Sequence, residues 1–184
     1  MLTREEALDL VKKNVARKAF VNHMLAVEAI MRSLASYLKE DENLWGLTGL
    51  LHDLDYDRTK DSPEKHATVA AEMLKDVVSK DIVRAIRAHN FRHTKVMPET
   101  GMEKALIASD AISGLLVACA LVMPTKKLRD VRVKTVAKKF KDKDFARGAD
   151  RERILMCEEI GIPKEKFFQI ALEGLKKVAA ELGL

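Results

Sequence analysis

The stretch ENLWGLTGLLHDLDYD, residues 42–57, decides the fold of this sequence. Its first half is too apolar for a surface element, so a short helix from Leu44 to about Asp53, capped by Asn43, is predicted to lie at the centre of the protein. The helix ends in His52-Asp53, an adjacent imidazole and carboxylate that are both good ligands for a divalent metal ion. The acid-rich residues that follow break the helical periodicity and indicate a loop.

Helices are predicted on both sides of this stretch from capping residues and from apolar side chains at three- and four-residue spacing. One helix before it starts at Thr3, with Glu6 completing a capping box, and a second runs from about Phe20 to Lys39. The first helix after it starts at Ser62-Pro63, with His66 in its first turn. The next runs from Lys80 to about Asn90 and is capped by Ser79, and the one after that runs from Met102 to about Leu121. Two or three more helices are expected up to Leu184. No alternating run is long enough for a strand, so the predicted fold class is all-α.

The composition excludes a disordered chain. The 184 residues, 47% hydrophobic and 33% charged, are typical of one folded domain. Cys119 and Cys157 form no CxxC pair and lie in apolar helical patterns, so both are expected to be buried thiols in a reducing compartment. The N-terminal residues lack the apolar run of a signal peptide, and no stretch approaches the ~18 apolar residues of a membrane span. A cytoplasmic location without membrane contact is therefore expected.

The net charge of +5 is concentrated in one segment. Residues 126–153 hold 12 Lys and Arg against 5 Asp and Glu. Such a stretch suits phosphates, RNA or an anionic substrate, but it lacks the interleaved aromatic residues on which bases stack. A solvated helix surface is the simpler interpretation, and nucleic-acid binding stays open as an alternative.

Three separately placed polar residues belong to the predicted core. His23 lies on the apolar stripe of the second helix, His52 ends the central helix, and Asp110 is the one acid of the long apolar helix beyond its first turn. Each of them alone is more often a hydrogen-bonded core residue than a ligand. Each of the three would cost about 1–3 kcal/mol of folding free energy if left unpaired. One cation shared with Asp53 would provide a partner for all of them. The set therefore favours a metal site.

The order of these residues resembles a known family. His23, then His52-Asp53 after an apolar GLL at 49–51, then Asp110 within IASDA at 107–111, is similar to the pattern of the HD superfamily of metal-dependent phosphohydrolases. The resemblance covers roughly residues 17–120 and implies an HD-type helical bundle there, with a helical extension at about 124–184 in the same domain. LLHDLDY at 50–56 and the tail at 138–148 also resemble a subgroup of uncharacterised predicted hydrolases.

The resemblance implies a chemistry as well as a fold. Binuclear members of the superfamily carry two further histidines between the HD pair and the last Asp, and His66 and His89 fall in that interval. Asp53 would then bridge two ions, one of them held also by His23, His52 and Asp110 and the other by His66 and His89. The implied cofactor is one or two divalent ions of Mn, Fe, Co, Ni, Zn or Mg, with Asp53 or Asp55 accepting a proton from the attacking water. The implied substrate is a small phosphorylated molecule such as a nucleotide.

Other functions stay open at this point. Tyr56 stands where cyclic-dinucleotide phosphodiesterases of the superfamily have lysine, and both their Gly-Tyr-Pro signature and the Glu of the nucleotidase pattern are missing, which disfavours those two activities. The six ligands would also suit a di-iron oxygenase on the same scaffold. A third class is the non-catalytic HD-type signalling module, which the intact ligand set argues against.

The residues around the ligands are less clearly marked. His66 as an exposed residue and His89 as a partner of the helix C-terminus would need no metal. His93 is expected outside the site because the helix ends near Asn90. The candidates for holding a phosphate group are the basic residues that flank the ligands in the sequence, namely Arg17, Lys18, Arg58, Lys65 and Arg92.

Overall fold

The computed structural model describes residues 2–184, and every regular element in that range is helical. No strand occurs among these residues, which confirms the all-α prediction. The α-helices are α1 (Arg4–Asn14), α2 (Lys18–Leu38), α3 (Glu42–Leu51), α4 (Tyr56–Thr59), α5 (Thr68–Leu74), α6 (Lys80–His89), α7 (Phe91–Thr94), α8 (Gly101–Leu121), α9 (Val133–Lys141), α10 (Arg151–Leu155), α11 (Lys164–Lys177) and α12 (Ala179–Leu182). Two 3-10 turns, Leu128–Asp130 and Glu158–Ile160, lie between the later helices.

Helix α2 is the centre of the molecule, since α3, α8 and α11 all pack against it. Two of these helices cross it at a glycine. A Cβ at Gly49 of α3 would lie 2.9 Å from the carbonyl oxygen of Val27, and a Cβ at Gly174 of α11 would lie 2.8 Å from that of Ala29. Because neither backbone carbonyl has room to move in a packed core, glycine is required at both crossings. The helix that carries the His52-Asp53 pair is thus held in close backbone contact with α2.

Two clusters of buried apolar side chains include residues of α2. One joins α2 to α8 and to the C-terminal helices, with Phe167 and Phe168 of α11 among its largest members. The other joins α1, α3, α5 and α6 to the beginning of α2. Met24 belongs to the second cluster and Ile30 to the first. Helix α2 therefore links the clusters and carries His23 beside their junction.

Helix α8 is long and apolar enough to cross a membrane, which contradicts the expectation that no stretch approaches that length. It is the one such helix within residues 2–184. Of its apolar stretch, 67% is buried against the rest of the protein. Its composition is therefore explained by its place in the core, and the cytoplasmic location stays a prediction.

The helix starts follow the predicted caps in part. Thr3 caps α1 in a capping box with Glu6, and Ser79 caps α6. The predicted Asn43 cap is wrong, because the Asp41 carboxylate accepts the backbone N–H groups of Asn43 and Leu44 and starts α3 two residues earlier.

The predicted helix start at Ser62-Pro63 is also wrong. Residues 63–67 form turns, and α5 begins only at Thr68. His66 consequently lies in the turns before a helix and not in a first helical turn. The cap that Ser62 was expected to provide comes instead from Asp55, a residue remote from the helix start, as described below.

Candidate metal centre

All six predicted metal ligands converge at one place, beside the end of α3. His23 comes from α2, His52 and Asp53 from the turn after α3, His66 from the turns before α5, His89 from the last residue of α6, and Asp110 from α8. The Nε2 atom of His23 lies 3.2 Å from His52 Nε2 and 3.2 Å from Asp110 Oδ1. The Nε2 atoms of His66 and His89 are 3.1 Å apart. Asp53 Oδ1 lies between the two groups, 3.3, 3.3 and 3.4 Å from Nε2 of His52, His66 and His89.

Two of the histidines are oriented by the backbone of their own helix. His52 Nδ1 donates to the carbonyl oxygen of Gly49 at 2.8 Å, and His89 Nδ1 donates to that of Ile86 at 2.5 Å. In both cases the acceptor lies three residues earlier, in the last turn of the helix. These carbonyls lack a partner in the helical hydrogen-bond ladder, so the imidazole satisfies them and leaves its Nε2 lone pair free. We call these two residues the backbone-anchored histidines.

The other two histidines are oriented by side chains. His66 Nδ1 donates to Asp55 Oδ1 at 2.8 Å. His23 Nδ1 lies 3.1 Å from Ser113 Oγ, whose proton goes to the carbonyl oxygen of Asp110 at 2.9 Å, so the imidazole is the donor in this contact. A proton on Nδ1 leaves the lone pair on Nε2. We call His23 and His66 the side-chain-anchored histidines. All four imidazoles thus point Nε2 at the centre, where a cation that displaces any proton would bind the lone pair of that nitrogen.

The chemistry of this donor set fits a divalent metal ion. Each pair of Nε2 atoms 3.1–3.2 Å apart needs a proton or a cation between its two lone pairs, and the carboxylates of Asp53 and Asp110 add further electron-pair donors. Nitrogen ligands at ~2.0–2.1 Å from a common ion would lie roughly 3.0–3.4 Å from one another. Two sets of ligand atoms, each lying within 4.8 Å of one another, consist of His23, His52 and Asp53 and of Asp53, His66 and His89. The residues therefore suit one or two ions, with Asp53 common to both positions.

The carboxylates give the centre a negative electrostatic field. Burial lowers the pKa of His66, but hydrogen bonds and charges from Asp53 and Asp55 outweigh it and raise the pKa to about 10. Burial likewise opposes protonation of His23, yet Asp110 and Asp53 raise its pKa above the ordinary value. The fully buried His52 behaves differently, since burial lowers its pKa to about 4. A field that draws protons to His23 and His66 attracts a cation for the same reason.

The two acidic ligands stay ionised in this environment. Burial alone would raise the pKa of Asp53, but its electrostatic interaction with His52 and its hydrogen bonds with His66 and His89 hold the pKa well below its usual range. The pKa of Asp110 is also held low against the effect of burial, chiefly by the hydrogen bond from His23. Both carboxylates are therefore in the form that binds metal ions.

Asp55 has a different position from the one expected of a proton acceptor. It is fully buried, with Oδ1 bound to His66 Nδ1 and Oδ2 accepting the backbone N–H groups of Ala67 and Ala70, both at 2.9 Å. The carboxylate thereby caps α5 and holds Ala67 at a φ of 71°, a left-handed conformation that is strained for alanine. Three donors already occupy this carboxylate. Its geometry is that of a residue that positions His66, which corrects the expectation that Asp55 takes a proton from water.

One functional side chain was missed by the sequence analysis. Arg153 of α10 reaches the centre, where its Nη2 lies 3.7 Å from Asp110 Oδ2 and donates to the carbonyl oxygen of His89. It is one of twelve basic residues in 126–153, and only the packing of α10 against α8 distinguishes it from the others. No local pattern in the sequence marks it.

The basic residues that the sequence analysis did select point to solvent. The side chains of all five are exposed, namely Arg17, Lys18, Arg58, Lys65 and Arg92. Arg58 donates to Asn14 and Arg92 forms an ion pair with Asp150, so neither is among the centre's hydrogen-bond partners. His93 is exposed as well, in agreement with its exclusion from the ligand set.

A helical bundle that brings four histidines and two aspartates together has the donor set of a helical metal-binding protein. The family model of the HD domain matches residues 20–119. The chain therefore belongs to the HD domain family. The matched range contains all six candidate ligand residues but ends before Arg153.

One relative with an assigned name is Ribonuclease Y of Sulfurovum sp. (strain NBC37-1), which is 26% identical over 156 residues. The match covers 80% of this chain but only 30% of the ribonuclease. No solved structure matches the chain significantly. The relative supports membership of the family, and its identity is too low and too partial to transfer a reaction.

Proposed function

We propose that the protein is a metal-dependent phosphohydrolase that cleaves phosphate esters with an activated water molecule. The observation that carries this proposal is the convergence of four Nε2 lone pairs and two carboxylates on one point. Each imidazole is locked in the ligand tautomer by a separate hydrogen bond. Such a preorganised donor set keeps the carboxylates of Asp53 and Asp110 ionised in a largely buried place, and a bound cation would offset that cost.

The residues of the centre have distinct roles in this reaction. A bound divalent ion would supply a Lewis acid for a phosphoryl oxygen and lower the pKa of a coordinated water toward ~7. Asp53 Oδ1 is surrounded by three imidazoles and belongs to the ligand set, whereas its Oδ2 has a single longer contact, 3.7 Å to His23 Nε2. Oδ2 is the oxygen that takes the proton of the attacking water. The side chains of His23 and Asp110 keep 25% and 21% of their surface exposed, which leaves this side of the centre open to substrate.

The proposed substrate is a small phosphorylated molecule, with nucleotides included. The centre is reached from a depression of about 210 Å³ beside His23, Asp110 and Arg153. This volume accommodates a phosphoryl group and part of its ester, in line with the modest size of ordinary ligand sites. Arg153 provides a fixed positive charge there.

RNA is the second candidate substrate. It is favoured by the match to Ribonuclease Y, a protein whose name states an activity on RNA, and by the basic segment 126–153. Nine of the twelve basic side chains of that segment are exposed, so they are available to a polyanion. They also have the exposure of an ordinary solvated surface, and for this reason we place the small substrate first.

The test combines elemental analysis with a panel of phosphomonoesters, phosphodiesters and a short RNA oligonucleotide. The wild-type protein should contain one or two equivalents of a divalent metal and release phosphate or a shortened product from one class. Asp53→Ala should lose both the metal and the turnover, because it removes the ligand common to both positions. Asp144→Ala, whose side chain is 86% exposed, is the matched control and should keep both.

Each of the alternatives predicts a different result. Two irons per chain with oxygen-dependent turnover of a non-phosphorylated compound would support the di-iron oxygenase. A stoichiometric metal content without turnover of any compound in the panel would support a non-catalytic binding or signalling module. Equal turnover by Asp53→Ala and the wild type would remove the metal centre from the reaction.

A further inference from the structure

Two depressions meet on the open side of the metal centre. The first, of about 210 Å³, is the polar one beside Asp110 and Arg153. The second, of about 280 Å³, is lined mainly by apolar side chains, among them Ala26, Val117 and Leu182. Both are bordered by His23, Ser113 and Gly114. A molecule whose charged end lies at the ligands therefore has a continuous path from the polar depression into the apolar one.

Arg153 is placed to hold an anion at the polar end. Its Nη2 has acceptors, but its buried Nε has no hydrogen-bond partner among residues 2–184. A buried guanidinium N–H without an acceptor is rare in folded proteins. A phosphate or phosphonate group matches the planar fork of the guanidinium and can be bound by its exposed part, which borders the polar depression.

The position of Arg153 is fixed by the segment before it. Arg151 donates to backbone carbonyl oxygens at the end of α9 and in the loop that follows it, those of Lys139, Phe140, Asp142, Phe145, Ala146 and Ala149. Asp150 caps α10 by accepting the backbone N–H groups of Glu152 and Arg153. The guanidinium of Arg153 is thus carried by a helix whose start is held by two side chains, and little ordering is left to be done when an anion binds.

Gly114 keeps the passage between the depressions open. It lies within α8 and has no positive φ, and a Cβ built on it would meet nothing within 4 Å. Neither packing nor backbone conformation therefore requires glycine, although glycine in a helix interior costs about 0.5–1 kcal/mol relative to alanine. The open space beside its Cα is the space that borders both depressions.

We infer that these depressions form a two-part substrate site in which Arg153 binds the phosphate and the apolar groove past Gly114 binds the organic part of the ester. The expected ligand class is a phosphate monoester with an aromatic or other compact apolar group. Asn22 is the one amide side chain on the groove and offers a hydrogen bond to a polar edge of that group. The inference rests on the proposed function, since it takes the phosphate to lie at the metal centre.

The test is equilibrium binding of two phosphonates, which carry the anionic group but have no ester bond to hydrolyse. Methylphosphonate and phenylphosphonate are titrated calorimetrically into metal-loaded wild-type protein. Phenylphosphonate should bind about tenfold or more tightly, because only its ring enters the apolar groove. Equal affinities for the two compounds would overturn the inference.

Two variants separate the halves of the site. Gly114→Leu fills the passage and should remove the preference for phenylphosphonate, while methylphosphonate affinity stays within about threefold because the charged contacts are unchanged. Arg153→Ala should weaken both phosphonates by a similar factor, about 10- to 100-fold. Arg129→Ala, whose side chain is 79% exposed, is the control and should change neither. Metal content is measured in every sample to show that the centre is intact.

The results also distinguish this inference from the proposed function. Phosphonate binding as described without turnover of any ester would contradict the proposed phosphohydrolase activity and support the two-part site. Turnover of an ester, combined with an unchanged preference for phenylphosphonate in Gly114→Leu, would contradict the role of the groove and support the phosphohydrolase activity. Failure of both phosphonates to bind the metal-loaded wild type overturns the two-part site whatever the catalytic result.

Discussion

The backbone-anchored and the side-chain-anchored histidines are oriented towards the centre by different kinds of hydrogen-bond acceptor. His52 and His89 are buried, and each binds a carbonyl oxygen three residues earlier in its own helix. His23 and His66 are partly exposed and depend on Ser113 and Asp55, which lie 90 and 11 residues away in the sequence. The first pair is oriented as soon as its helix forms. The second pair is oriented only when distant parts of the chain pack together.

This difference indicates which histidine positions a single substitution can disturb. A helix-end carbonyl cannot be removed by a side-chain substitution, whereas Ser113 and Asp55 can be replaced one at a time. His23 also borders both depressions on the proposed substrate side. Three of the four predictions below test how far the ligand positions depend on these anchors, and the fourth tests the open space at Gly114.

The largest effect is expected at Asp55. In Asp55→Asn the amide oxygen can still accept the N–H groups of Ala67 and Ala70, while the amide N–H₂ faces His66 Nδ1 and forces the proton of that imidazole onto Nε2. His66 then cannot bind a metal, and metal affinity should fall by about 10- to 100-fold. Competition with a chromogenic chelator measures this change.

The fold of the Asp55→Asn protein should survive. Its urea midpoint in the metal-free state should stay near that of the wild type, since the α5 cap is kept. In Asp55→Ala the cap is lost as well, and the same midpoint should fall. Full metal affinity in Asp55→Asn would show that the tautomer of His66 is set by something else.

Gly49→Ala tests the crossing on which the backbone-anchored His52 depends. The added Cβ would lie 2.9 Å from the backbone of α2, so the helices must separate or strain. The free energy of unfolding should fall by about 1–3 kcal/mol, as measured by urea denaturation. Gly148→Ala adds a Cβ that meets nothing and should leave the stability unchanged.

Ser113→Ala removes the acceptor that orients His23. The lost partner is a neutral hydroxyl and not a carboxylate, so we expect a smaller effect than at Asp55, about a tenfold loss of metal affinity. The same chelator competition applies, with the urea midpoint of the metal-free protein as a check on the fold. A loss of stability without any loss of affinity would contradict the positioning role.

The smallest effect is a gain. Gly114→Ala should raise the free energy of unfolding by about 0.5–1 kcal/mol, because alanine favours the helix and its Cβ meets no neighbour. Urea denaturation measures it beside Gly49→Ala, the same substitution in another helix with the opposite expected sign. A destabilised Gly114→Ala protein would mean that the open space does not exist in solution.

The comparison of anchors also explains what the sequence could predict. The all-α class followed from periodicity, and His23, His52 and Asp110 were selected because each lies in an apolar helical pattern. Asp53 was selected as the neighbour of His52, whereas His66 and His89 came from the resemblance to binuclear members of the superfamily. The anchors of His52 and His89 are consequences of local helix geometry. The parts that were wrong or missed depend on tertiary contacts: Asp55 replaces the expected Ser62 cap from outside α5, and Arg153 reaches the centre only through the packing of α10 on α8. The division into a core at 17–120 and an extension at 124–184 stays a prediction.

The apolarity of α8 has a consequence for the synthesis of the protein. Its partners α9, α10 and α11 all follow it in the chain, and 56 residues separate Leu121 at its end from Lys177 at the end of α11. At ~5–20 residues per second a ribosome needs roughly 3–11 s to make that segment. During this interval only helices made earlier, chiefly α2 and α6, can cover α8. Chaperones that bind exposed apolar segments should therefore associate with nascent chains in which α8 has left the ribosome and α11 has not, and release them once α11 has emerged.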